Sequence, residues 1–535
     1  MVKTQKFDIP KEVTRVTETL QNAGFEAYLV GGCVRELLRG QKEPKDWDVT
    51  TNAKPDDIIK LFNNTFYENN YGTVGVVIDE WKKKIEDISR ETPNDTVTYE
   101  THLIENMAKK DEDEDDFLSD GENTQKTSYV IEVTPYRLEA TYSDNRHPDS
   151  VSFSNSLTDD LKRRDFTINA IAYDPSKGHI IDPYKGQVDI EKKIIMAVGE
   201  PEDRFAEDAL RMMRAARLAT ELGFTIEEDT LMAIKVMSNK IQNVSMERIR
   251  DEFSRIIMSD TPMEGIMTLH QLEMFQYIIP ELENGIGVEQ NAAHAFHVWE
   301  HNLRSLQHGA NKKWPLKIRL AALLHDVSKP ETRYWSDKKK NWTFYGHDVV
   351  GARVAEKIMK RLKYPKELTE DVRLLVRYHL FFSDTEVVSN SAVRRIVRSV
   401  GQKNIWDLMR VRACDRIGTG RPKEQPYRLR KYHAMVEEVM RDPISVGALK
   451  ITGNKIMQIT KEKPGPRIGW MLHALLEEVL DEPKKNTEKY LEERTKILFT
   501  LSDKELETLG RAAKEKKEET EEAEVKEIRK RHWVE

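Results

Sequence analysis

Asp46 and Asp48, separated by a single residue, are the side chains of this sequence best spaced to do chemistry. In an extended segment alternate side chains share a face, so both carboxylates point one way and Trp47 the other. Neighbouring carboxylates repel unless a cation lies between them, and hard oxygen ligands of this kind suit Mg²⁺. Upstream, Ala27-Tyr28-Leu29-Val30 reads as a short buried strand, and Gly31-Gly32 turns the chain into a helix carrying Arg35. Backbone N–H groups at such a turn can meet phosphate. A phosphate cradle beside a Mg²⁺ dyad is the equipment of nucleotide chemistry. The competing reading is a glycine turn followed by a solvated acidic strand end.

Two further clusters follow. In Arg163-Arg164-Asp165-Phe166-Thr167-Ile168-Asn169-Ala170, basic residues precede an aspartate and an apolar run. The pattern predicts a helix with Asp165 near its N-cap and arginines placed to hold a triphosphate, or an ordinary capped helix with solvated arginines. In Glu207-Asp208-Ala209-Leu210-Arg211-Met212-Met213-Arg214-Ala215-Ala216-Arg217, helical spacing puts Asp208, Arg211 and Arg214 on one drifting stripe. A carboxylate accepts from an exocyclic amine and a guanidinium donates to the adjoining ring acceptor. Cytosine and adenine present that pair of groups; uracil and guanine do not. Asp208 with Arg211 could therefore accept C and A without a template, or could be an intrahelical ion pair.

The elements that must position these groups fall into two regimes. The first 200 residues read as α/β: an amphipathic helix over 11–24, the strand and glycine turn, a helix from Asp56 to Phe62, a β-rich run from Tyr71 to Ile78 and a strand resuming at Tyr129-Val130-Ile131-Glu132-Val133. Between Trp81 and Thr127 lies a polar insertion with no core face. From Phe205 to Leu501 the periodicity is almost entirely helical, broken at prolines and glycines. Residues 503–535 are rich in Lys and Glu, a solvated helix or a disordered tail.

Length, at 535 residues, demands several cores. Two cysteines, Cys33 and Cys414, exclude a disulfide framework or a cysteine zinc cluster and fit a reducing cytoplasm. The polar start and the lack of a long apolar run predict neither a signal peptide nor a membrane span. Net charge is −7, but residues 111–122 hold eight acids and no base, so the remainder stands at +1. Basic surfaces at Lys162-Arg163-Arg164, at Arg394-Arg395 with Arg398, and from Arg421 to Lys431 then leave room for an RNA partner.

The segments LVGGCVRELLRG…DWDVTT, RRDFTINAIAYD, IIDPYKGQVD and EDALRMMRAARLATELGF, in this order over about residues 25–225, resemble the class II tRNA nucleotidyltransferases, the family of CCA-adding enzymes and bacterial poly(A) polymerases. The resemblance implies an α/β head of polymerase-β-like type (1–200, with the insertion at about 81–127) and an all-α remainder. That remainder would comprise a neck with a nucleotide-reading helix (201–285), an HD-type body (286–425), a tRNA-binding tail (426–502) and a charged end (503–535). It implies Mg²⁺ on Asp46 and Asp48, two ions in all, and nucleotide contacts from Gly32, Arg35, Arg164, Asp208, Arg211, Arg214 and Arg217. Glu132 is a candidate third carboxylate or a structural strand residue. The implied activity is template-independent addition of CCA to tRNA from CTP and ATP, with A-only or poly(A) addition as the alternative. Asn52 to Phe66 lacks the basic element of the poly(A) polymerases, which favours CCA. Tyr142 to Asp149 matches the family's flexible loop.

A second resemblance, to the HD phosphohydrolase superfamily, covers about residues 290–420. It rests on His325-Asp326 at the end of the apolar helix Leu320–Leu324, with His301, His347, His379 and Asp415 assigned by order and type. Imidazole with carboxylate suits a transition metal such as Mn²⁺, Ni²⁺ or Co²⁺. Either such a site is present, with phosphohydrolase activity that could be the chain's main one and the head an RNA-positioning module, or the domain keeps its fold without metal. The tail's Leu449–Asn454 and Pro464–Gly469 stretches read as an RNA-facing glycine turn or as helix packing.

Overall fold

The structure is a computed structural model that describes residues 5–41, 44, 46–67, 72–78, 129–139, 151–291, 294–381, 388–440, 447 and 449–534. The acidic insertion, including 111–122, and the Tyr142–Asp149 loop lie outside the described residues. The chain divides into two compact units, residues 1–376 with 418–420, and residues 377–417 with 421–535.

The first unit opens on a seven-stranded mixed sheet in the order β3-β4-β5-β2-β1-β8-β9. The strands are β1 (Ala27–Val30), β2 (Asp48–Thr51), β3 (Thr65–Tyr67), β4 (Val74–Ile78), β5 (Tyr129–Pro135), β8 (Ala172–Asp174) and β9 (His179–Ile181). Two further strands, β6 (Arg137–Glu139) and β7 (Val151–Phe153), form a separate ribbon. Helix Lys11–Asn22 buries Val13, Val16 and Leu20, the i, i+3, i+7 face its sequence predicts. Leu29, Val49, Ile131 and Val133 are buried along the central strands. β2 and β5 run parallel, with Asp48 opposite Glu132 and Val49 opposite Val133; the other pairings of the sheet are antiparallel.

Two expectations change. The apolar run after Asp165 is not a helix: it is a single 3₁₀ turn, Thr167–Asn169, followed by β8. Ala170, Ile171, Ala172 and Tyr173 are buried in the sheet region, and tertiary burial overrides their helical spacing. Arg163 and Arg164 accordingly follow the C-terminal end of helix Leu157–Lys162, not the start of a helix. The part expected to be all helical also contains strands, β11 (Thr225–Ile226), paired with β10 (Ile194–Ile195) of the first 200 residues, and a hairpin of β12 (Tyr334–Ser336) and β13 (Asn341–Thr343). The hairpin follows from aromatic residues flanking a polar turn, a pattern masked by the long helices around it.

The second unit is helical. Leu475, Met471, Ile456, Leu491, Leu498 and Leu506 make its core. Helix Asp503–Arg531 begins with a reciprocal Ser502/Glu505 capping box. Its far end is fixed by Ile528 and Val534 packing on Ala434, by an ion pair from Arg529 to Glu438 and by a hydrogen bond between His532 and Glu437. No helix among the described residues is long and apolar enough to cross a membrane.

Beside that anchor, the His433 ring lies edge-on to Trp406, with centroids 5.9 Å apart, and to His532 at 6.1 Å. Burial, reinforced by His532, pulls its pKa from 6.5 down to about 4. The folded state thus excludes a proton that the unfolded chain accepts, so stability falls as pH drops from about 6.5 to about 4 and this contribution is constant below that. A His433→Leu variant is expected to lose less stability than the parent across that window when the two are melted in denaturant at each pH. Parallel pH profiles would contradict the assignment.

Candidate active site and a second candidate metal centre

The head site is built around one glycine. Gly31 has φ +79°, and a Cβ there would lie 3.2 Å from Nη1 of Arg164 and 3.4 Å from Oδ2 of Asp48. Its bare backbone lets a guanidinium and a carboxylate converge over the turn into helix Gly32–Leu38. Asp46 is exposed just before β2, Trp47 is 2% exposed beneath it, and Asp48 opens the strand. Paired residues of adjacent strands point to the same face, so Glu132, exposed and in register with Asp48, shares that face. Asp48 and Glu132 thus share one sheet face, and continued alternation would set Asp46 on the same side.

Arginines are held beside them by buried acids that the sequence reading passed over. Asp160 is fully buried and accepts from Arg163 Nε at 3.0 Å, Arg164 Nη2 at 3.1 Å and Thr50 Oγ1 at 3.2 Å. Burial would raise its pKa, but Arg164 and Arg163 hold it below the ordinary carboxylate range. The signal was available: Asp160 stands three and four residues before the two arginines, ion-pair spacing on a helix. Asp165, also buried, accepts from its neighbour's amide, Phe166 N–H, at 2.8 Å and from Asn169 Nδ2 at 3.1 Å, and meets Arg214 Nη2 at 2.9 Å. Burial opposes its ionisation, and Arg214, Asn169 and Arg211 outweigh it, lowering the pKa. Asn169 in turn accepts from Arg35 Nη1 at 2.6 Å. Arg35, Asn169, Asp165 and Arg214 therefore form one chain of bonds from the glycine turn to the neck. Beneath it the Cys33 thiol donates to the Val30 carbonyl, and burial with nearby Asp48 pushes its pKa up to about 12, which removes it as a nucleophile.

The neck departs from the predicted stripe. The helix breaks at Asp208 (φ −146°, ψ 104°), between helices Pro201–Glu207 and Leu210–Leu222. Asp208 does not pair with Arg211. It accepts the Leu210 N–H at 3.1 Å and a two-pronged bond from Arg248, at 2.7 and 3.2 Å. Arg248 stands 40 residues away, out of reach of any local pattern. Arg211 binds Glu207 and the carbonyls of Arg204 and Arg163, at 3.2 and 3.0 Å. Arg217 is 4% exposed, held by Glu221 at 2.6 Å and Glu252 at 2.5 Å. Its Nε and Nη1 donors are thus engaged within the neck.

A second cluster lies in the helical part of the first unit. His301, His325, Asp326 and His347 are buried. Nδ1–H of His325 donates to the Ala322 carbonyl at 2.8 Å and that of His347 to the Phe344 carbonyl at 2.5 Å, which turns each Nε2 inward as an acceptor. His325 Nε2 lies 2.9 Å from His301 Nε2 and 3.3 Å from an Asp326 oxygen; His347 Nε2 lies 3.3 Å from the other. His301 Nε2 is 3.1 Å from Asp326, and Lys329 Nζ is 2.5 Å from it. Inward nitrogen lone pairs facing each other and a carboxylate call for a proton or a metal cation between them. His294, absent from the predicted set, stands with His301 and Asp326 at ligand spacing. His379 and Asp415 belong to the second unit, where both are buried and Asp415 meets Arg412.

Comparison with known proteins fits this picture. The Poly A polymerase head domain matches residues 27–120 and 75–196, the probable RNA and SrmB-binding site of polymerase A residues 223–286, and the HD domain residues 294–447. The A-adding tRNA nucleotidyltransferase of Deinococcus radiodurans is 32% identical over 340 residues, 62% of this chain and 76% of that one. The CCA-adding enzyme of Ligilactobacillus salivarius is 37% identical over 268 residues, 50% of this chain and 54% of that one. The match thus spans about half the length of that CCA-adding relative. Among solved structures, the Bacillus stearothermophilus CCA-adding enzyme in complex with CTP superposes with a TM-score of 0.53 at 24% identity, covering 91% of this chain and 98% of that one, a likeness of fold. Fold, site and matches define a nucleotidyltransferase with a polymerase-type head. The chain belongs to the tRNA nucleotidyltransferase/poly(A) polymerase family.

Arg217 separates a structural from a phosphate-binding role. Replacing it by Met strands Glu221 and Glu252 in a partly buried pocket, which is expected to cost about 2–3 kcal/mol of stability and lower the melting temperature. ATP affinity of the folded protein should be unchanged. Lost ATP binding at unaltered stability would return Arg217 to the nucleotide site.

Proposed function

We propose that this protein adds C, C and A to tRNA 3′ ends from CTP and ATP without a template, in the cytoplasm. The observation that carries the reading is the shared face of Asp48 and Glu132, with Asp46 two residues before, beside the Gly31 turn and Arg164. An all-oxygen donor set fits Mg²⁺. Bound there, a pair of magnesium ions would supply Lewis acidity at the attacking 3′-hydroxyl and at the departing pyrophosphate. The protein's own groups do the rest by position. Arg164, braced by Asp160, and Arg35, braced by Asn169, are oriented toward the triphosphate before it arrives. At the neck junction Asp208 would accept from the exocyclic amine of C or A while Arg211 donates to the adjoining acceptor. That reading requires Arg211 to exchange its bond to Glu207 for the base.

The test supplies tRNA lacking all of CCA, lacking CA, or lacking only the final A, with labelled CTP or ATP and Mg²⁺. Growth of all three to the full terminus is expected; extension of the last alone would make this an A-adding enzyme. Asp48→Asn should abolish transfer, by about a thousandfold or more, with tRNA binding retained. Near-normal transfer would remove Asp48 from the metal site.

The histidine tautomers of the second cluster favour a further activity, a phosphohydrolase dependent on Mn²⁺, Ni²⁺ or Co²⁺. Here His301, His325, Asp326 and His347 would hold the ion. Protein dialysed against each metal should retain it on elemental analysis, and His325→Ala with Asp326→Ala should not, while nucleotide addition in Mg²⁺ continues. Absence of retained metal in the parent would reduce this region to a scaffold.

A further inference from the structure

The β12–β13 hairpin serves neither the nucleotide site nor the imidazole cluster. Its register pairs Tyr334 with Thr343, Trp335 with Trp342 and Ser336 with Asn341. Two-stranded ribbons are marginal alone, and the cross-strand tryptophans, with centroids 5.2 Å apart at 77°, account for part of its stability. They do not account for the remaining aromatic surface. Tyr334 is 68% exposed, Trp335 41% and Tyr345 72%.

Cations surround these rings. The connecting turn presents Lys338, Lys339 and Lys340, all exposed. The Arg333 guanidinium lies 3.7 Å from the centre of the Trp342 ring. Lys339 Nζ lies 5.3 Å from the Tyr345 ring and donates to its hydroxyl at 2.8 Å. The opposing carboxylates are Asp337 in the turn, exposed Glu331, and Glu289 at 3.6 Å from Arg333. Local charge is therefore positive.

This combination discriminates among partners. An apolar protein surface has no use for three adjacent lysines. A double helix could use the cations but hides its base faces, so the rings would stay idle. A lipid surface would have to draw Arg333 and Lys339 inward with the rings they cover, at the cost of dehydrating both cations. A single RNA strand offers phosphates and free base faces together, and sequence-tolerant stacking on aromatic residues within a basic surface is how such strands are held.

We propose that the hairpin binds unpaired RNA, with bases stacked on Tyr334 and Tyr345 and phosphates met by Lys338, Lys339 and Lys340. The platform adjoins the imidazole cluster. Its second strand reaches His347 through Phe344, Tyr345 and Gly346, and Lys329, in contact with Asp326, lies 5.5 Å from the Phe344 ring.

The test cross-links the full-length protein to a short unstructured oligoribonucleotide carrying 4-thiouridine, with a blunt RNA duplex and vesicles of phosphatidylserine and phosphatidylcholine as competitors. Labelling is expected within residues 334–345. It should fall about ten-fold when Tyr345→Ala is combined with Lys338→Ser and Lys340→Ser, and persist in Tyr345→Phe, which keeps the ring. These positions are exposed, so their replacement leaves the tryptophan pair in place. The proposal is overturned if every cross-link maps outside 334–345, if the duplex competes as well as the free strand, or if only the vesicles protect the segment.

Discussion

Everything in the head depends on the parallel pairing of β2 with β5. Side chains alternate along a strand, so a slip of one residue would carry Glu132 to the opposite face from Asp48 and drive Val133 toward solvent. Burial of Val49, Ile131 and Val133 therefore fixes the register, and the register fixes the carboxylates. Apolar packing holds two like charges together, a placement their mutual repulsion would otherwise oppose. A parallel pair also needs a crossover. Here it carries helix Pro55–Leu61 and the β3–β4 ribbon, and residues 79–128 enter between β4 and β5 without interrupting either strand.

The arginines pose the converse problem, cations to be held still without being neutralised. Asp160 and Asp165 do this from below. Each is buried and stays ionised against the cost of burial because guanidinium groups face it. Arg164 and Arg214 keep donors beyond those they spend on the acids, since a guanidinium has five. Their long side chains are held by these bonds, so if they bind the nucleotide as proposed, binding would not have to supply that entropy. The Arg35–Asn169–Asp165–Arg214 chain extends the same ordering across the head–neck boundary, where the helix break at Asp208 redirects the backbone.

What could be read from the sequence was what is local. The strand Ala27–Val30, the turn at Gly31 and the burial of Trp47 between two aspartates follow from alternation and from glycine's freedom at positive φ, and the structure has all three. The partners Arg248 of Asp208 and Glu252 of Arg217 were not legible, because both come from the later helix Met246–Met258. The apolar run after Asp165 misled for a related reason: its residues are buried by the sheet, so their spacing reported burial and not helix. The β12–β13 hairpin was hidden by its shortness, three residues per strand among helices of a dozen or more.

If both candidate centres bind metal as proposed, one chain would keep two chemistries apart. On the sheet face the proposed ligands are carboxylate oxygens, a donor set that would leave Mg²⁺ its waters. In the helical part imidazole nitrogens are locked by backbone carbonyls into one tautomer and enclosed among buried side chains. Such a site favours ions that bind nitrogen strongly over Mg²⁺, which holds its hydration shell too firmly to enter. Selectivity then lies in ligand softness and hydration. Loading of one such centre would not compete with the other, because Mg²⁺ would gain little at the imidazoles.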